Sequence, residues 1–187
     1  LGNITRRGLL GVFGLAAGGA AFGYWYGSRP WANPLQSEEG TSVFNPWLTI
    51  SADNIITVIT PRAEMGQGIH TTLAALVAEE LEVSLDQVEV QHGPASGAYY
   101  NSGAAQDGAP FPSFDHSAMA QTMRAIMGGA IRAASLQATG GSSSTIDGYE
   151  KMRLAGAAAR EMLKAAAAAR LSVAAETLKA ENGKITD

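Results

Sequence analysis

Six consecutive β-branched residues, Ile55-Ile56-Thr57-Val58-Ile59-Thr60, commit an otherwise alanine- and glycine-rich chain to building a sheet. Such side chains are confined at χ1 and crowd the preceding turn of a helix, whereas a pleated strand accommodates them. Ahead of them, Trp47-Leu48-Thr49-Ile50 and the polar turn Ser51-Ala52-Asp53-Asn54 complete a β-hairpin pattern. Pro61 to Gly68 then reads as a loop, and Thr71 to Leu81 as a helix with Leu73, Leu76, Val77 and Leu81 at helical spacing. Val88-Glu89-Val90-Gln91 is a short strand, and Gly93 to Ser113 is a loop. Phe114 to Leu136 predicts a helix weakened by Gly128-Gly129. After a second glycine- and serine-rich loop, Thr139 to Ser144, a long helix runs from Thr145-Ile146-Asp147 to Arg170, with Asp147 near its positive end. Ser172 is placed to cap a short last helix, and Asn182-Gly183 to turn a hairpin between Lys179 and Ile185. This order predicts an α+β fold, a small mixed β-sheet with packed helices.

The N-terminal stretch follows different rules. Arg6-Arg7 precede a block, Gly8 to Ser28, without any charged residue and rich in glycine and alanine. Its length suffices to cross a bilayer core, and the positive charge in front of it places the N-terminus inside. Trp25, Tyr24, Tyr26 and Trp31 resemble an interfacial aromatic belt. Residues 1–29 are therefore expected to be a leader or membrane anchor, 30–45 a linker punctuated by Pro30, Pro34 and Gly40, and 46–187 the folded part.

Composition narrows the chemistry. A net charge of −4, with no basic run beyond Arg6-Arg7, argues against nucleic acid as partner. The absence of Cys removes disulfides, thiolate nucleophiles and any iron–sulfur cluster held by this chain. His70, His92 and His116 are scattered, and no pair sits at metal-ligand spacing. Glu79-Glu80 reads as a solvated helix face, and Glu150, Lys151, Arg153, Arg160 and Glu161 as an exposed stripe of ion pairs. Met152, Leu154, Met162 and Leu163 read as one apolar face of the long helix.

Two loops carry the chemical signal. Glu64-Met65-Gly66-Gln67-Gly68 lies between a strand and a helix; its glycines permit positive φ, and the helix start at Gly68 to Thr71 offers N–H groups suited to an anion. Gln67 has both donors and an acceptor for a heterocycle edge. Thr139-Gly140-Gly141-Ser142-Ser143-Ser144-Thr145 is a second run of small and hydroxyl residues opening a helix, fit for a phosphate or polar ring, or simply for an N-cap.

Taken in order, these segments resemble the xanthine oxidase family of molybdenum hydroxylases. Glu64-Met65-Gly66-Gln67-Gly68-Ile69-His70-Thr71, followed by Glu79-Glu80-Leu81, is similar to that family's glycine–glutamine motif. Thr139 to Thr145, followed by Met152-Arg153-Leu154-Ala155-Gly156-Ala157, is similar to its next cofactor loop. Thr5-Arg6-Arg7-Gly8-Leu9-Leu10 resembles a twin-arginine export motif, which together with the Trp-Leu-x-Ile hairpin points to the isoquinoline 1-oxidoreductase β-subunit or membrane-bound aldehyde dehydrogenase type.

The resemblance implies that Met65, Gly66, Gln67 and Gly68 face one side of a molybdenum cofactor, a molybdopterin in its cytosine dinucleotide form, and that Thr139, Gly140, Gly141, Ser142 and Ser143 line the other. Thr71 would cap the helix facing it. It implies that 46–187 is the incomplete N-terminal part of a larger molybdopterin-binding subunit, with the catalytic glutamate downstream; Glu64 is not assigned that role. The whole enzyme would hydroxylate an N-heterocycle or oxidise an aldehyde with water as oxygen donor. Electrons would pass to iron–sulfur clusters on a small partner subunit and on to a cytochrome c subunit. Its expected location is the periplasm, anchored to the inner membrane through the N-terminal segment. The alternative is an exported, anchored binding module whose two glycine-rich loops hold a phosphate or nucleotide. A third is an interaction domain whose apolar helices dock on a partner.

Overall fold

The β-branched run is a strand. The computed structural model describes Gly19 and residues 28–186, so the expected leader, apart from Gly19, Ser28 and Arg29, lies outside the described residues. Strands β1 (Thr41–Asn45), β2 (Leu48–Ser51), β3 (Ile56–Thr60) and β4 (Val88–His92) form one sheet in that order. β2 and β3 are the expected hairpin, antiparallel with Leu48 opposite Val58 and Ile50 opposite Ile56. β3 and β4 run parallel, Ile56 beside Val88 and Thr60 beside His92. A parallel pair requires a crossover, and α1 (Ile69–Leu81) supplies it. The sheet is thus mixed, as the α+β reading requires.

β1 corrects the expected linker 30–45. Thr41 to Asn45 pairs antiparallel with β2, and Asn45 Nδ2 donates to the Ala155 carbonyl at 3.0 Å. The neighbouring Gly40 and Pro46 read as loop punctuation, but they mark the two ends of a strand.

The remaining elements are α2 (Ala104–Gly108), α3 (Ala118–Ala133), α4 (Ser143–Leu171), β5 (Lys179–Glu181) and β6 (Lys184–Thr186). α1 packs between the sheet and α4, and Leu48, Ile56, Val58, Leu73, Val77, Leu81, Met152 and Ala159 form one buried cluster. Full burial of a Leu or Val side chain stabilises by about 1.5–3 kcal/mol. The α1–α4 seam is close because α4 presents small residues to it. A Cβ on Gly156 would stand 2.7 Å from the Val77 carbonyl oxygen, and one on Gly148 would strike the Leu73 side chain.

Four expectations about the helices change. α3 is shorter than 114–136, opening where Ser117 Oγ accepts from the Ala120 N–H. The loop expected from Gly93 to Ser113 contains α2 and a single 3-10 turn, Gly97–Tyr99. Ser172 closes α4 in a left-handed conformation (φ 58°) instead of opening a helix, and only a 3-10 turn, Ala175–Thr177, follows. Met152 is buried while Leu154 and Met162 are exposed, so they do not share one face. The terminal hairpin is as expected: Asn182 (φ 50°) and Gly183 (φ 73°) give the two positive-φ residues of a type I′ turn. Among the described residues no helix is long and apolar enough to cross a membrane.

Candidate functional site

The first loop is held by its own side chains. Gly66 and Gly68 have φ of 93° and 79°, a region L side chains rarely adopt. Added Cβ atoms there would meet nothing within 4 Å, so backbone angle and not crowding calls for glycine. Glu64 gathers the loop: Oε1 accepts from the Gly66 and Gly68 N–H groups at 2.8 and 3.0 Å, and Oε2 from the His70 N–H at 3.0 Å. The amides of His70 and Gly68 hold the Glu64 carboxyl below the usual carboxylate range.

These bonds correct in part the expectation that the start of α1 offers open N–H groups to an anion: of the four amides from Gly68 to Thr71, the carboxylate of Glu64 takes those of Gly68 and His70. Gln67 is likewise turned inward, its Oε1 accepting from the Met65 N–H at 2.6 Å and its Nε2 donating to the Ala63 carbonyl at 2.7 Å. Thr71 does not cap α1. Gly68 is the cap residue, and Thr72 Oγ1 donates to its carbonyl at 2.9 Å. His70 packs its Nε2 2.8 Å from the Arg62 carbonyl oxygen.

The second loop turns through Gly141 (φ 57°) and Ser142 (φ 50°) into α4. A left-handed serine costs about 1–2 kcal/mol, and the turn is braced from beneath. Ser143 is fully buried; its hydroxyl donates to the Gly140 carbonyl at 2.6 Å and accepts from Asn101 Nδ2 at 2.8 Å. Ser143 therefore supports the loop and does not face outward, unlike its exposed neighbours Gly140, Gly141 and Ser142.

One bond joins the loops. The Ala63 N–H donates to Thr139 Oγ1 at 2.9 Å. Beside it lies a cleft of about 340 Å³ lined by Met65, Gln67, Ile69, Thr72, Thr139, Gly140, Ser142, Ser144 and Thr145. Of the residues expected from the sequence, Met65, Gln67, Thr139, Gly140 and Ser142 line it; Gly66, Gly68, Gly141 and Ser143 shape the backbone around it. Ile69, Thr72, Ser144 and Thr145 join the lining. A wider groove of about 650 Å³ touches the two loops at Pro61, Ala63 and Thr139 and is otherwise lined from elsewhere, by residues such as His92, Ser96 and Gln137.

Behind the loops is a buried ionic network that sequence reasoning missed. Arg62 donates to the Tyr99 carbonyl at 3.1 Å and to Asp147 Oδ2 at 2.6 Å. Asp147 Oδ1 accepts from the Ser102 N–H, the Ser102 hydroxyl and Lys151 Nζ at 2.7–2.8 Å. Lys151, expected on an exposed stripe, instead sits 3.7 Å from the Tyr100 ring centroid and donates to the Tyr100 carbonyl. Burial alone would raise the Asp147 carboxyl, but Lys151, Ser102 and Arg62 outweigh it and hold it low. Burial, helped by the neighbouring charges of Arg62 and Arg132, outweighs Asp147 and pushes the Lys151 ammonium below its usual range. The i,i+4 spacing of Asp147 and Lys151 was the available signal. Glu80, expected in solvent, bonds Arg153 across the helix seam at 2.6 Å. Among the described residues no three His, Asp or Glu side chains converge as a metal site.

A family model described as molybdopterin cofactor-binding domain matches residues 14–135. The chain belongs to that family. It is 32% identical over 187 residues to the isoquinoline 1-oxidoreductase subunit beta of Brevundimonas diminuta, covering 98% of this chain and 20% of that one. It is 39% identical over 97 residues to the membrane-bound aldehyde dehydrogenase (pyrroloquinoline-quinone) of Gluconacetobacter polyoxogenes, covering 48% of this chain and 12% of that one. The molybdopterin cofactor-binding domain assigned by the family model includes the first loop and ends before the second, whereas the match to the Brevundimonas protein includes both. The chain thus spans a minor part of the length of each of these relatives. Of the two names only the second carries a cofactor, a quinone, whereas the family model is described by the pterin.

Proposed function

We propose that the cleft between the two loops is part of the pocket for a molybdenum cofactor in an oxidoreductase large subunit. Met65, Gly66, Gln67 and Gly68 form one wall, and Thr139, Gly140, Gly141 and Ser142 the other, with Ser143 bracing the second wall from within. The observation that carries this reading is the Ala63–Thr139 bond, which brings two loops 76 positions apart to the same cleft. The lining fits a polar ring system: it has hydroxyls on Thr72, Thr139, Ser142, Ser144 and Thr145 and no charged side chain. A volume of about 340 Å³ is at the small end of ligand sites. It would hold the ring portion of the cofactor, with the rest of the pocket supplied by other parts of a longer subunit.

When bound, the cofactor supplies the two-electron redox chemistry. This chain's residues orient the ring and exclude water from one side of it. The complete enzyme would act on an N-heterocycle or an aldehyde with water as oxygen donor and use the cytosine dinucleotide form. It would work with a small iron–sulfur subunit and a cytochrome c acceptor, in the periplasm behind a twin-arginine leader. The names of the two relatives support the two substrate classes and a partner subunit, and the leader motif supports the location; the dinucleotide form, the iron–sulfur subunit, the cytochrome and the oxygen donor rest on the sequence resemblance alone. The competing reading, a phosphate- or nucleotide-holding module, is disfavoured at the first loop by Glu64, which takes the Gly66, Gly68 and His70 amides and puts a negative charge there.

The experiment is made in the full-length subunit. Thr72 and Thr145 are exposed residues of the lining, so Thr72→Trp and Thr145→Trp should fill the cleft without entering the core. Both variants should keep the wild-type circular dichroism and lose most of their molybdenum and pterin per protein. Glu79→Gln, on the exposed side of α1, should lose neither. Folded tryptophan variants with a full complement of molybdenum would remove the cleft from the cofactor pocket.

A further inference from the structure

We propose that Glu64 closes the N-terminus of α1 to anions, so that the ligand group meeting this wall of the cleft is uncharged and any phosphate of that ligand seats elsewhere. The inference deepens the cofactor reading and rests on it for the identity of the ligand, but the closure itself rests on geometry alone. A helix of this length draws negative charge to its first turn through its unpaired N–H groups and its dipole. Here two of the four amides from Gly68 to Thr71 are taken from within the chain, by a carboxylate whose charge opposes a second anion at the other two. The Gly66, Gly68 and His70 amides converge on the two oxygens of one carboxylate at 2.8, 3.0 and 3.0 Å. The Met65 amide is taken by Gln67 and the Ala63 amide by Thr139.

A phosphate arriving at α1 would have to displace Glu64 from Gly68 and His70, or take the Ile69 and Thr71 amides beside its charge, and like-charge repulsion opposes both arrangements. His70 is the one titratable neighbour on this element that adds a favourable field to the carboxylate. What the wall leaves to a ligand is the exposed Met65 thioether and the edge of the Gln67 amide. Both suit a neutral ring. Glu64 is thus a specificity-determining and positioning residue. It lends the loop its shape and sets the sign of charge the loop accepts.

The test uses the full chain labelled with ¹⁵N and inorganic phosphate as the probe. In wild type, the Gly66, Gly68 and His70 amides should show no saturable shift with phosphate, and Glu64→Ala should gain one at those same amides. In wild type without phosphate, the three amides should follow one common acid midpoint below the ordinary glutamate range. A saturable phosphate shift at these amides in wild type would overturn the proposal. So would three unrelated acid midpoints, or a Glu64→Ala chain with an otherwise unchanged spectrum and no response to phosphate. If Glu64→Ala does not fold, the two wild-type measurements decide. Failure here leaves the molybdenum content of the tryptophan variants untouched, and failure there leaves these amide shifts untouched.

Discussion

Arg62 and Asp147 lie 85 positions apart in the chain and meet through a 2.6 Å ion pair with both side chains withdrawn from solvent. Arg62 directly precedes the first loop, and Asp147 sits in the first turns of the helix that follows the second. The pair therefore fixes the distance between the two walls of the cleft from behind, while Ala63 and Thr139 fix it in front. Replacing Asp147 by Asn keeps the shape but strands Arg62 and Lys151 as buried cations. Removing one partner of a buried pair costs about 3–5 kcal/mol. Denaturant unfolding of Asp147→Asn should show that loss, and Lys151→Met, which removes the surplus cation, should show much less.

The same carboxylate sets an acid limit. Its folded pKa is held below the unfolded value, so the unfolded chain binds the proton first as pH falls. The stability it contributes is complete above the unfolded value of about 3.9 and is lost as pH drops through the folded one. Denaturant midpoints measured from pH 7 downward should hold to about pH 4 and then fall. Asp147→Asn should start lower at pH 7 and show a shallower decline. Equal slopes in the two proteins would place the acid sensitivity at other carboxylates.

Glycines in helices divide by what a Cβ would meet. Gly156→Ala would press within 2.7 Å of the Val77 carbonyl and 2.9 Å of Glu80 Cβ. Overpacking of this kind costs about 1–3 kcal/mol, and thermal melts should show the drop. Gly129, inside α3, has open space around it. Gly129→Ala should stabilise by about 0.4–1 kcal/mol, because alanine has less unfolded-state entropy to lose.

The leader reading has its own test. Arg6→Lys with Arg7→Lys keeps the charge and removes the paired guanidinium groups. A folded reporter fused after Asn45 should reach the periplasm with the natural pair and remain inside with the lysines. Unchanged delivery by the double variant would assign export to another route.

The elements legible in the sequence were those that announce themselves over a few residues. Ile55 to Thr60 could only be a strand, and Asn182-Gly183 only a tight turn. The two loops stand out in the sequence as candidates for ligand binding, and the structure brings them to one cleft. Illegible were interactions between distant positions. Nothing local says that Glu64 would turn onto three amides ahead of it, or that Lys151 would leave an apparently solvated stripe for Tyr100. The burial of Arg62, within the loop Pro61 to Gly68, is not legible because its partners, Tyr99 and Asp147, come from elements whose approach no spacing rule encodes. β1 was hidden for a different reason, being short, half polar and enclosed by residues that usually mark loops.

The separation of the two loops along the chain also imposes an order in time. Thr139 leaves the ribosome 76 residues after Ala63, a delay of about 4–15 s at ordinary elongation rates of roughly 5–20 residues per second. The bonds of Glu64 span only 2, 4 and 6 positions, so the first loop can take its shape at once. Its Ala63 amide and the Arg62 side chain still wait for partners yet to be synthesised. Until α4 emerges there is half a cleft, and a cofactor inserted during translation would find nothing to close upon.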